Sequence, residues 1–139
     1  MSNDNRLDLT AFSERIATLR THVADNVVGQ SLPVHLLLTA LMADGHVLLE
    51  GVPGVAKTLL AKTLARLVRA DFRRVQFTPD LMPTDVLGTS IFNLGTQQFD
   101  FHPGPVFTQV LLVDEINRAP AKTQAALFEV MEERQVTLD

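Results

Sequence analysis

Residues 46–58 read HVLLE followed by GVPGVAKT, a short apolar run leading into a loop that carries two glycines and a lysine-threonine pair. His46-Val47-Leu48-Leu49-Glu50 predicts a strand of the nearly all-apolar kind that a parallel sheet buries on both faces. In the loop, Gly51, Gly54, Lys57 and Thr58 fit a phosphate-binding loop, and Ala56 stands where the second fixed glycine falls. Glycines let the backbone turn tightly, so that successive N–H groups face phosphate oxygens. The dipole of the following helix adds to that field. Ala56 still offers its N–H but restricts the backbone to ordinary φ values. In this reading Lys57 reaches the β- and γ-phosphates and the Thr58 hydroxyl takes one position on Mg²⁺.

Beyond the loop, Leu60, Leu64, Leu67 and Val68 form one stripe of a helix running to about Ala70, with Lys62, Arg66 and Arg69 facing solvent. Phe72 to Thr78 reads as the next strand, so strand, helix and strand make a βαβ unit. Val110-Leu111-Leu112-Val113-Asp114-Glu115 is a second strand that ends in two carboxylates. Asp114 at a strand end suits a Mg²⁺ site reached through water. Glu115 is placed to orient and polarise a water for attack on the γ-phosphate. Ligands of open α/β sheets gather outside the carboxyl ends of strands, where both motifs fall.

The flanks complete the expected order. Phe12, Ile16, Leu19 and Val23 predict a helix starting near Thr10, and Ser31 to Ala43 a second, with Gly45 in its C-terminal turn. Ser90–Asn93 and Gln97–Phe101 predict a hairpin around Leu94-Gly95-Thr96, with Phe99 and Phe101 on one face. Pro120 opens a final helix with Leu127, Val130 and Met131 inward, and Gln135 to Asp139 begins a strand.

Composition narrows the function classes. The 139 residues are 46% hydrophobic and 20% charged, with no cysteine and a net charge of −4. That balance excludes a disulfide framework and a global basic field for nucleic acid or anionic membrane. Residues 34–52 are broken by His35, Thr39, Asp44, Gly45, His46 and Glu50, so the apolar stretch predicts a helix and a strand rather than a membrane span. The N-terminus is polar and acidic with no leader pattern, and a cytoplasmic location is expected. His22, His35, His46 and His102 show no metal-ligand spacing. No basic residue lies between Arg74 and Arg118, so Phe99 and Phe101 are read as packing.

Four stretches carry a family resemblance: VVGQ at 27–30, GVPGVAKT at 51–58, RRVQFTPDLMPTDVLG at 73–88 and FHPGPVFTQVLLVDEINRAPAKTQAALFEVMEER at 101–134. Together they resemble the MoxR family of AAA+ ATPases, where alanine before the loop lysine is usual. The resemblance implies a P-loop NTPase fold: a three-layer α/β/α sandwich with a mainly parallel sheet, incomplete here, and a β-hairpin insertion. It implies residues 1–26 as an N-terminal helical segment and 27–139 as a partial ATPase core. Within that core lie Walker A at 51–58, the insertion at about 89–101 and Walker B at 110–115. The implied nucleotide contacts are Val28, Gly29 and Gln30 around adenine, then Gly51, Val52, Pro53, Gly54, Val55, Ala56, Lys57, Thr58, Leu59 and Asp114. Thr58 and Asp114 would hold Mg²⁺ and Glu115 would be catalytic.

The resemblance also implies ATP and Mg²⁺ as cofactors, a hexameric ring, and a maturation client or von Willebrand factor A domain protein as partner. Family members continue into a sensor strand between the 46–50 and 110–114 strands, then arginine fingers and a helical lid. A chain ending at Asp139 is therefore expected to be a truncated piece whose two strands lack their bridging neighbour. Two other readings stay open: a nucleotide-dependent interaction module without turnover, and a DNA-translocating relative. Asn117 and Arg118 carry no assigned role beyond a helix-entry turn.

Overall fold

The computed structural model describes residues 10, 13–18, 21, 31–50 and 57–136. The chain divides into two compact units, 1–67 and 68–139. The expected contacts at 28–30 and 51–56 lie outside the described residues, as does most of the strand expected from Gln135.

In the first unit, residues 10, 13–18 and 21 are helical, in the segment where a helix is expected, and Ile16 is half-buried. Helix α1 spans Ser31–Met42 and α2 spans Lys57–Leu67. Their inward residues Val34, Leu37 and Leu38 meet Leu60 and Leu64, with Leu49 and Leu67 at the margin. Spacings of three and four place those side chains on one face of each helix. Helix α1 closes in a Schellman turn: the Gly45 N–H donates to the Ala40 carbonyl at 2.8 Å and Asp44 N–H to Leu41 at 3.2 Å. Asp44, not Gly45, takes the left-handed position, at φ 53°.

Residues 46–50 form no strand, contrary to expectation. Val47 and Leu48 are exposed, and Leu49 alone reaches the apolar cluster. A strand exists only as part of a ladder, and no described strand of this unit offers one. An apolar run records suitability for a sheet, not the presence of a neighbour.

In the second unit, β1 (Phe72–Gln76) and β4 (Val110–Asp114) pair in parallel, Phe72 opposite Val110 through Gln76 opposite Asp114. Between them come a short helix α3 (Pro83–Leu87) and the antiparallel hairpin β2 (Gly88–Asn93) and β3 (Gln98–Pro103). Helix α4 (Ala121–Glu133) follows β4. Val75, Leu111 and Val113 share one sheet face and pack with Phe77, Val86, Ala119, Leu127 and Met131. The opposite face carries Arg74, Leu112 and Asp114.

The hairpin begins two residues before the expected strand, and Gln97 joins the turn in the left-handed region at φ 56°. The Asn93 side-chain oxygen accepts the Gly95 and Thr96 N–H groups at 2.9 and 3.3 Å, which fixes that turn. Phe92 and Phe99 are register partners packed edge to face at 5.2 Å. At the hairpin base Gly88 sits at φ 103°, where any side chain would run into the His102 carbonyl and the Gly104 backbone.

Candidate nucleotide site

Lys57 and Thr58 are the first two residues of α2, both half-buried. The first four N–H groups of a helix have no partner within it. No acidic residue occupies the first turn of α2, and Lys57 adds its positive charge to the positive end of the helix dipole. That environment favours an anion. Leu59, placed by the resemblance among the nucleotide contacts, is half exposed, while Leu60 carries the burial.

In the second unit, Asp114 is the last residue of β4 and Glu115 the first beyond it. The Phe77 N–H donates to the Asp114 carbonyl at 2.9 Å, extending the ladder one rung past Gln76. This bond fixes the backbone from which the Asp114 side chain leaves the sheet. Arg74 Nε donates to Asp114 Oδ2 at 2.5 Å. Parallel pairing makes that contact possible: Arg74 lies opposite Leu112 on the same face as Asp114, two register positions behind it.

Glu115 adopts φ 57°, ψ 41°, in the left-handed region that a non-glycine residue enters at a cost. The chain there leaves the strand and enters a single 3₁₀ turn, Ile116–Arg118, closed by the Arg118 N–H on the Glu115 carbonyl at 2.8 Å. The reading of Asn117 and Arg118 as a helix-entry turn fits this geometry. The turn also carries a second ion pair, Arg118 Nε to Glu115 Oε2 at 3.3 Å. Both of its side chains are about half exposed, so it contributes little to stability.

Each acidic residue of the pair thus has an arginine partner, and Arg74 escaped the sequence reading. Forty positions separate Arg74 from Asp114, and only the strand register brings them together. Lys57 and Thr58 belong to one compact unit and Asp114 and Glu115 to the other. The donor chemistry suits Mg²⁺, which binds through a hydroxyl or one or two carboxylates and completes its shell with water and phosphate oxygens. Among the described residues no three His, Cys, Asp or Glu side chains cluster into a protein-built metal cage.

The family of proteins described as ATPases associated with various cellular activities (AAA) matches residues 46–139. The chain is 58% identical over 112 residues to chaperone MoxR1 of Mycobacterium tuberculosis, covering 81% of this chain and 30% of that protein. It is 38% identical over 135 residues to the MoxR protein of Methylorubrum extorquens, covering 93% and 39%. This chain belongs to the MoxR-type AAA ATPases.

The YeaC protein of Bacillus subtilis is another relative of this MoxR-type chain, 52% identical over 118 residues, covering 85% and 37%. A solved structure from Cytophaga hutchinsonii superposes with a TM-score of 0.73 at 46% identity. It covers 96% of this chain and 42% of that one. The chain therefore spans about a third of the length of its curated relatives. The expected α/β fold of AAA type, with a parallel strand pair, an incomplete sheet and a hairpin insertion, agrees with these likenesses.

Proposed function

We propose that this MoxR-type chain binds Mg·ATP and, within the complete protein, hydrolyses it to drive chaperone-like remodelling or maturation of a client. The observation that carries the reading is the Asp114-Glu115 pair at the carboxyl end of a parallel strand, in a chain whose α2 begins with Lys57-Thr58. Backbone N–H groups of Gly51 to Ala56, with Lys57, hold the phosphates, and Val28, Gly29 and Gln30 line the adenine. Thr58 and Asp114 hold the magnesium, which neutralises charge on the phosphates. Glu115 takes a proton from the attacking water. Residues 27–139 then act as part of an ATPase core preceded by the helical segment 1–26. The working assembly is a cytoplasmic homo-hexameric ring, in which a neighbouring subunit supplies an arginine to the transition state. Its client, or a von Willebrand factor A domain partner, is engaged elsewhere on the complete protein.

Two substitutions in the complete protein separate binding from turnover. Lys57→Ala lowers affinity for a fluorescent ATP analogue, because it removes the only side-chain cation of the loop. Glu115→Gln keeps that affinity and lowers phosphate release by at least about 10²-fold, the usual range for losing a general base. Phosphate release unchanged in Glu115→Gln removes the assigned role. Nucleotide binding with no phosphate release in the parent protein favours an interaction module instead.

A further inference from the structure

Asp114 is held at two levels. Its backbone is fixed by the ladder and by the Phe77 N–H, and its carboxylate is held by Arg74. The carboxylate is largely shielded, with the Asp114 side chain 20% exposed, whereas Arg74 is 50% exposed. The guanidinium therefore has water to retreat into while its stem stays along the strand. A carboxylate neutralised by one monovalent cation offers a divalent ion a poorer site than a free one, since guanidinium and metal repel each other and compete for the same oxygens.

We propose that Arg74 is a positioning residue that acts as a stand-in cation: it occupies the Asp114 carboxylate until Mg²⁺ arrives with the nucleotide, and so sets the magnesium concentration at which the site fills. This rests on the reading of Asp114 as the magnesium residue. The ion pair keeps the carboxylate aimed off the end of β4 when no metal is bound and leaves no unpaired charge in that partly shielded position. Loading the site then requires the guanidinium to leave.

The test titrates Mg²⁺ into the complete protein with a fluorescent ADP and reads the half-saturating Mg²⁺ concentration. Arg74→Gln lowers it by about three- to fivefold, the equivalent of one partly exposed ion pair. Arg74→Lys retains the charge and stays close to the parent. Asp114→Asn abolishes the Mg²⁺ dependence in every background. A half-saturating value unchanged or raised in Arg74→Gln, with Asp114→Asn still abolishing the dependence, overturns the stand-in role alone. Nucleotide affinity indifferent to Asp114→Asn overturns the magnesium reading and the proposal with it. Should Arg74→Gln fail to fold, the parent answers directly through the Arg74 Nε–H resonance, assigned by its loss in Arg74→Lys. It moves to a water-exposed position on adding Mg·ADP and stays put with ADP and chelator. A resonance that does not respond to Mg·ADP overturns the proposal.

Discussion

Thr123 is fully buried in the first turn of α4, and its hydroxyl donates to the Leu81 carbonyl at 2.7 Å. That bond ties the helix to the segment entering α3 across forty-two positions. Thr123→Val keeps the shape and leaves the carbonyl without its partner, a loss of about 1–3 kcal/mol. Urea denaturation of parent and variant measures it, and a difference under about 0.5 kcal/mol refutes the role. Thr123 and Arg74 share a reason for being invisible in the sequence. Their partners lie about forty residues away, and a periodic pattern reports which face of an element is apolar, not which polar atom waits opposite. Lys57, Thr58, Asp114 and Glu115 stand out in the sequence through short spacings, and the structure places the first two at the start of α2 and the last two at the end of β4 and just beyond it.

At the level of elements, helices were read more accurately than strands. Helix α4 starts where Pro120 predicts and buries Leu127, because a helix closes its own hydrogen bonds. The 46–50 run failed as a strand because a ladder needs a second chain segment. Turns lie between these cases. Around Thr78–Leu81 the Leu81 N–H donates to the Thr78 carbonyl at 3.1 Å. The Asp80 carboxyl there is held below the usual carboxylate range, first by its hydrogen bond from Thr78 and then by its own backbone N–H. A depressed carboxylate stabilises the fold above its ordinary pKa and loses that contribution as pH falls through the lowered value. The denaturation midpoint of the parent is expected to fall more steeply than that of Thr78→Ala as the medium is acidified through the carboxylate range. Parallel curves exclude the bond as a contributor.

For the molecule as a whole, the two units have separate apolar clusters, one joining α1 to α2 and one beneath the β1–β4 pair. Among the described residues no helix is long and apolar enough to cross a membrane. A ligand held only by the folded protein stabilises it by mass action: Mg·ATP at about 100 times its dissociation constant adds roughly 2.7 kcal/mol. Thermal unfolding with and without Mg·ATP should show an upward shift in the parent that vanishes in Lys57→Ala. An equal shift in both places the nucleotide elsewhere. The family was legible from four stretches of sequence, whereas the position of the 46–50 segment depends on neighbours that no local pattern specifies.

Five described residues other than glycine have positive φ, and Glu115 is the one that directly follows a strand. A glycine or asparagine at that position would relax the backbone by about 1 kcal/mol. Glu115→Gly is accordingly expected to raise the denaturation midpoint while phosphate release disappears, and a lowered midpoint would show that relief of the left-handed turn is outweighed by the lost Arg118 ion pair and the more flexible unfolded chain. Screening variants for thermal tolerance alone would then enrich inactive protein. At this position durability and the proposed chemistry pull in opposite directions.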